Sequence, residues 1–164
     1  MTAKTSPPAA DQGPPAEPAG QSRLRSMPSR LLSQTSMHGD RLVNEALAAV
    51  DSRKWHYAVL VALQDSGPAS QATLSRRTCI YRSDLVAVIN ELAERDLVER
   101  TPDPEDRRRN VITLTPQGRE HLHRLDDLLS DVQDNLLAPL DQTERAQLVG
   151  LLTRLIEHHG DQWS

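Results

Sequence analysis

The side chains with the clearest chemistry are arginines, and they come in clusters. Arg76 and Arg77 stand a short distance before Arg82, and Arg107, Arg108 and Arg109 run in a row after Asp106. A guanidinium is a planar fork of donors that fits a phosphate or the major-groove edge of a guanine, so arginines held apart on one surface suit recognition of a duplex. The whole chain carries a formal charge of −4, and acidic and basic residues balance between positions 70 and 110. Bulk attraction cannot hold nucleic acid here, so any contact must come from a local patch. Of the 19 basic residues all but Lys4 and Lys54 are arginine.

Other chemistry is poorly supplied. There is no Gly-rich phosphate loop, no Ser/His/Asp order and no paired-carboxylate motif, which argues against an enzyme. His121 and His123 are two apart on a predicted helix and face different ways, while His158 and His159 are adjacent. Neither pair has the i, i+4 spacing of two ligands on one face, so no metal and no cofactor is expected. The single cysteine, Cys79, excludes an intrachain disulfide and a Cys-rich zinc site, and is expected to be a small buried residue.

The elements that must position the arginines lie between Ser70 and Gly118. Ser70 caps a short helix through Arg77 that turns Ala72 and Leu74 inward. Thr78, Cys79 and Ile80 link it to a helix from Arg82 to Arg95, whose buried row is Leu85, Val88, Ile89 and Leu92. Asp96 ends that helix, at a position that calls for a left-handed backbone. Two segments of strand composition follow, Leu97 to Thr101 and Val111 to Thr115, and the charged, Pro-rich stretch between them is too long for a two-residue turn.

Helix, turn, helix and a looped strand pair make a winged helix-turn-helix. The major groove of a duplex accepts an exposed helix, and the narrow minor groove beside it attracts an arginine-bearing loop. The helix beginning at Arg82 is therefore the expected reader and Arg107 to Arg109 the expected wing. Backbone N–H groups at Ser70 and Gln71 are placed to meet a phosphate, with Arg76 and Arg77 near the same backbone. The competing reading is a winged helix used only for protein contact.

Long helices flank this unit. Pro28 suits a first turn, and from Leu31 apolar or near-apolar positions recur at spacings of three and four, with Gly39 marking a close crossing or a bend. Ser52 is expected to cap the next helix, Lys54 to about Gln64, which Gly67 and Pro68 end. Thr115 before Pro116 starts a helix to about Leu137 with the stripe Leu122, Leu125, Leu129, Val132 and Leu136. Pro139 breaks it, and Asp141 with Glu144 forms a capping box for a last helix carrying Leu148, Leu151, Leu152, Leu155 and Ile156.

The fold class is thus mainly α with a small β-wing, in one domain. Residues 1–25 are a Pro/Ala-rich tail expected to be disordered, 26–159 the domain, and 160–164 a flexible end. Within the domain, 52–118 form the winged helix-turn-helix, and 26–51 and 119–159 carry more apolar stripe than so small a unit can cover. A symmetric homodimer takes up that surplus. No apolar run is long enough to span a bilayer and the start lacks the apolar core of a signal peptide, so a cytoplasmic protein is expected.

The run LSRRTCIYRSDLVAVINELAERDLVER followed by DPEDRRRNVITLTPQG resembles the multiple-antibiotic-resistance regulators, the MarR family. The resemblance covers roughly Pro28 to His159. It implies a winged-helix homodimer that binds double-stranded DNA at palindromic operators, usually as a repressor, and is often released by a small aromatic or anionic effector. Carried over by position, Arg82, Ser83, Asp84 and Ala87 face bases, Arg107, Arg108 and Arg109 form the wing, and Asp106 orients one of them. His38, Arg41, Trp55, His56 and Tyr57 line the cleft where such an effector is held.

Three positions depart from the family pattern. Tyr81 stands where a capping Asp or Ser is usual, and Val86 and Ala87 stand where polar or basic residues are common. Asp84 needs a cytosine amine or Arg82 as its partner. Fewer direct base bonds are expected, with Ala87 against a thymine methyl and more reliance on the wing.

Overall fold

The computed structural model describes residues 23–102 and 110–160. Contacts divide the chain into two units, 1–37 and 38–164. In the first, the opening turns of helix α1 (Pro28–Ala48) leave Leu31, Leu32 and Met37 exposed.

The second unit continues α1 into α2 (Lys54–Ser66), β1 (Ala69–Ser70), α3 (Gln71–Thr78), α4 (Arg82–Glu94), β2 (Val98–Pro102), β3 (Asn110–Leu114), α5 (Pro116–Leu136) and α6 (Gln142–Gly160). The strands form one antiparallel sheet in the order β1-β3-β2, with Arg100 opposite Ile112 and Ala69 opposite Ile112 on its other side. Strand β1 escapes sequence reading because two residues carry no period; it exists only because β3 offers an edge to pair with.

Among the described residues no Trp or Tyr is fully buried in the core. Leu60, Leu74, Leu85, Ile89, Leu92 and Ile112 are completely enclosed, each contributing about 1.5–3 kcal/mol by leaving water. They come from α2, α3, α4 and β3, so one cluster fixes the whole helix-turn-helix against the sheet.

Three turns set the path, and each uses a left-handed non-glycine residue: Asp51 (φ 51°), Cys79 (φ 55°) and Asp96 (φ 56°). At Asp96 the Leu97 N–H donates to the Leu92 carbonyl (2.9 Å) and the Asp96 N–H to the Ala93 carbonyl (3.0 Å). At Asp51 the Ser52 N–H donates to the Leu47 carbonyl (2.9 Å) and the Asp51 N–H to the Ala48 carbonyl (3.2 Å). Both are the paired bonds that stop a helix sharply and satisfy its last carbonyls.

Two expectations are corrected here. Cys79 is exposed, because the left-handed turn sends its side chain outward while the next residue, Ile80, fills the core. Ser52 does not cap α2. The cap position falls to Arg53, whose side chain makes no cap bond, and Ser52 is instead buried with its hydroxyl 3.0 Å from His121 Nε2. The other caps are as read: Ser70 and Thr115 accept from the N–H groups of Thr73 and Gly118, and Asp141 and Glu144 exchange backbone bonds of 2.9 Å. Gly39 marks a close crossing, since a Cβ there would lie 3.3 Å from Leu136 of α5.

Candidate nucleic-acid interface

Helix α4 is amphipathic across its short axis. Leu85, Val88, Ile89 and Leu92 are buried, and Arg82, Ser83, Val86, Ala87 and Asn90 are exposed on the other side. The four buried positions recur at three and four residues, which is why a 13-residue helix can be held from one face and leave the other free. Asp84 is half-buried in the first turn, where the helix dipole favours a carboxylate, and its hydrogen bond comes from the Ser83 hydroxyl (3.4 Å). That bond takes the place of the Arg82 partnership considered from sequence.

The turn before α4 is braced by side chains. Ser75 Oγ donates to the Ile80 carbonyl (2.7 Å) and Thr78 Oγ1 to the Leu74 carbonyl (2.8 Å). The Ser70 hydroxyl is engaged with Thr73, so what α3 offers a phosphate is the backbone N–H of Gln71 and its neighbour in the first turn. Arg76 and Arg77 are exposed in its last turn, and Arg76 lies 3.4 Å from Thr73 Oγ1.

Beyond α4 the sheet carries the loop. Strands β2 and β3 part at the register pair Pro102 and Asn110. Asp106, Arg107, Arg108 and Arg109 lie outside the described residues. On β2 the Arg100 guanidinium donates to Asn90 Oδ1 and so ties the sheet to the exposed face of α4. Arg100 and Asn90 had no mark in the sequence, because a bond between residues of different elements exists only once both are placed.

Polar tethers hold α4 from behind. Glu91 accepts from Arg53, and the same oxygen lies 2.9 Å from His56 Nε2. One turn on, Arg95 donates to the Asp51 carbonyl (2.6 Å) and lies 3.5 Å from His121 Nε2. His56 has a pKa lowered to about 4, first by burial and then by Arg53, Arg95 and His121. Its Nδ1 is buried without a partner among the described residues, so a second proton there would be unsolvated. His121 is shifted down as well, by burial and by Arg95 and Arg124. Both rings are therefore neutral at pH 7.

The five residues expected to hold an effector do not converge. Trp55, His56 and Tyr57 are consecutive on α2 and so point about 100° apart. Trp55 is half-exposed, His56 is enclosed against Glu91, and the Tyr57 hydroxyl donates to Asp126 (2.9 Å). Tyr57 has a raised pKa, from burial and that carboxylate. His38 and Arg41 are exposed on α1, with Arg41 3.9 Å from Glu45. Of the five, only Trp55 lines the groove of about 480 Å³ that it shares with Asn44, Ala48, Ser52, Arg53 and Lys54.

Among the described residues no group of His, Cys, Asp or Glu is arranged to hold a metal ion. No described helix is long and apolar enough to cross a membrane.

Comparison with known proteins agrees with this geometry. The sequence profile of the MarR family matches residues 52–109. The HTH-type transcriptional repressor NicR of Pseudomonas putida is 31% identical over 101 residues, covering 62% of this chain and 64% of that protein, so less than two thirds of its length is matched. The crystal structure of a probable transcriptional regulator from Pseudomonas aeruginosa is 31% identical, with a TM-score of 0.71 over 82% of this chain and all of that one. A variant of Escherichia coli MarR complexed with operator DNA is 26% identical, with a TM-score of 0.68 over 78% of this chain and 92% of that one.

Proposed function

The chain belongs to the MarR family, and on that premise we propose that it is a homodimeric, sequence-specific transcriptional regulator of double-stranded DNA. It acts in the cytoplasm as a repressor on a palindromic operator, is released by a small aromatic or anionic effector, and performs no enzymatic step.

One observation carries the reading: the exposed row Arg82, Ser83, Val86, Ala87 and Asn90 stands on the second helix of a braced helix-turn-helix, opposite a fully buried row. A helix fixed from one side and bare on the other is the shape a major groove accepts. In this reading Arg82 reads a guanine edge, Ser83 and Ala87 approach neighbouring bases, and Asp84 accepts from a cytosine amine. Ser70, Gln71, Arg76 and Arg77 set the register on phosphates. Arg107, Arg108 and Arg109, with Asp106 orienting one of them, enter the adjacent minor groove.

Two copies are needed. Helix α6 buries none of its residues and exposes Val149, Leu151, Leu155 and Ile156, an apolar face that a second copy covers. Dimerisation places the two reading helices about 34–36 Å apart, one turn of the duplex. An effector acts by favouring another separation, with a strength equal to its differential affinity for the two states. The groove beside Trp55 has an indole wall, with Arg53 and Lys54 at its rim paired to Glu91 and Asp40, and an aromatic carboxylate that competes for those cations can dock there.

Gel shift on the DNA upstream of the chain's own gene tests the function. A discrete complex that survives competitor DNA is expected, and Arg82→Ala costs it about 1–3 kcal/mol while relaxing preference at one base pair. A winged helix used only for protein contact gives no such complex.

A further inference from the structure

Tyr81 has neither a capping nor a packing role in the fold. It occupies the cap position of α4 with a backbone suited to capping (φ −58°, ψ 144°), yet its side chain makes no cap bond. The caps of α3, α5 and α6 are Ser70, Thr115 and Asp141, each accepting an N–H of its own helix. A phenol cannot do this, so the fold gives up a stabilising bond at the helix on which its function rests. Nor is the ring used for packing. At 82% exposed it is the most open of the large hydrophobic side chains among the described residues.

Its neighbours say what the ring is for. Tyr81 leads directly into Arg82, and one turn further the exposed face of α4 is apolar, with Val86 and Ala87. Arg76, Arg77 and Arg82 are exposed near it in the chain, and Asp84 is half-buried. A surface combining cations with an apolar strip fits an anionic duplex that displays an apolar mark, and in the major groove that mark is the thymine C5-methyl. We propose that Tyr81 is a specificity-determining residue whose ring packs on a thymine methyl at the edge of each operator half-site. This rests on the DNA-reading function proposed above.

Tyr81→Ser and Tyr81→Phe, with thermal unfolding and gel shift on the upstream DNA carrying uracil at each thymine in turn, test the proposal. Tyr81→Ser restores a cap and raises Tm by about 2–4 °C, while it weakens the operator complex about tenfold. Tyr81→Phe binds as the parent does. Uracil at the contacted thymine of one half-site weakens the parent about fourfold, the worth of one buried methyl, and leaves Tyr81→Ser unaffected. Full operator affinity in Tyr81→Ser overturns the proposal and leaves DNA reading intact, as does a uracil penalty equal in both proteins. Loss of affinity in Tyr81→Phe assigns the hydroxyl to a phosphate and overturns the methyl contact. If the parent itself forms no discrete complex, the DNA-reading function fails together with this role.

Discussion

His56 Nε2 lies 2.9 Å from a Glu91 carboxylate oxygen, so a buried imidazole near the start of α2 holds the last turn of α4. The same oxygen accepts from Arg53, and Arg53 lines the groove beside Trp55. The back of α4 and the wall of the groove thus share residues.

Stability should fall as pH is lowered through the neutral range. The folded-state pKa of His56 is depressed from 6.5 to about 4, so as pH drops the unfolded chain takes up the proton first. The His56 contribution is complete above about pH 6.5 and is lost between about 6.5 and 4, at up to about 1.4 kcal/mol per pH unit. His121, also shifted down, adds in the same direction. Urea unfolding between pH 7 and 5.5, above most carboxylate titration, should show this slope, and His56→Gln should flatten it. An equally steep profile in the variant would exclude His56 as its source.

The wing is testable through salt. Replacing Arg107, Arg108 and Arg109 together by Ala removes up to about three phosphate contacts from each subunit of the dimer, about six in all, and each is worth about 0.9 in the slope of log affinity against log salt. Operator affinity should drop sharply at low salt and the slope should flatten by up to about 5. An unchanged slope would place these arginines away from DNA.

Helix α6 should control assembly. Leu155→Glu with Ile156→Glu puts two carboxylates on a face that is exposed in the single chain, so the fold of one copy has little to lose. Light scattering should report a monomer with unchanged helical content and weak operator binding. A dimer that survives both charges would move the interface elsewhere.

Gly118→Ala should be costly for a reason confined to space. A Cβ at Gly118 would fall 2.0 Å from the Leu97 carbonyl oxygen and 2.8 Å from Leu114 Cδ1, so the first turn of α5 must back away from the α4–β2 turn. The Thr115 Oγ1 bond to the Asp96 carbonyl (2.6 Å) lies at the same junction and would be strained with it. The expected loss is about 3 kcal/mol in denaturant unfolding. A variant as stable as the parent would mean that α5 is free to shift.

Much of this molecule was legible before folding. The buried row of α4, the caps at Ser70, Thr115 and Asp141, the left-handed Asp96 and the break at Pro139 are local properties, set by period, capping chemistry and backbone preference within a few residues. The exposed face of α4 follows from its buried one. Tertiary structure decided whatever depends on two distant segments meeting. Strand β1 exists because β3 lies beside it, Ser52 turns inward because His121 is there, and Gly118 is required because Leu97 presses on it. Cys79 went outward because its turn needed a left-handed residue. The directions within α2 were not legible for the same reason: adjacent residues on one helix share a sequence neighbourhood but not a direction, and only the packing of α2 determined that Trp55 meets the groove while His56 meets Glu91.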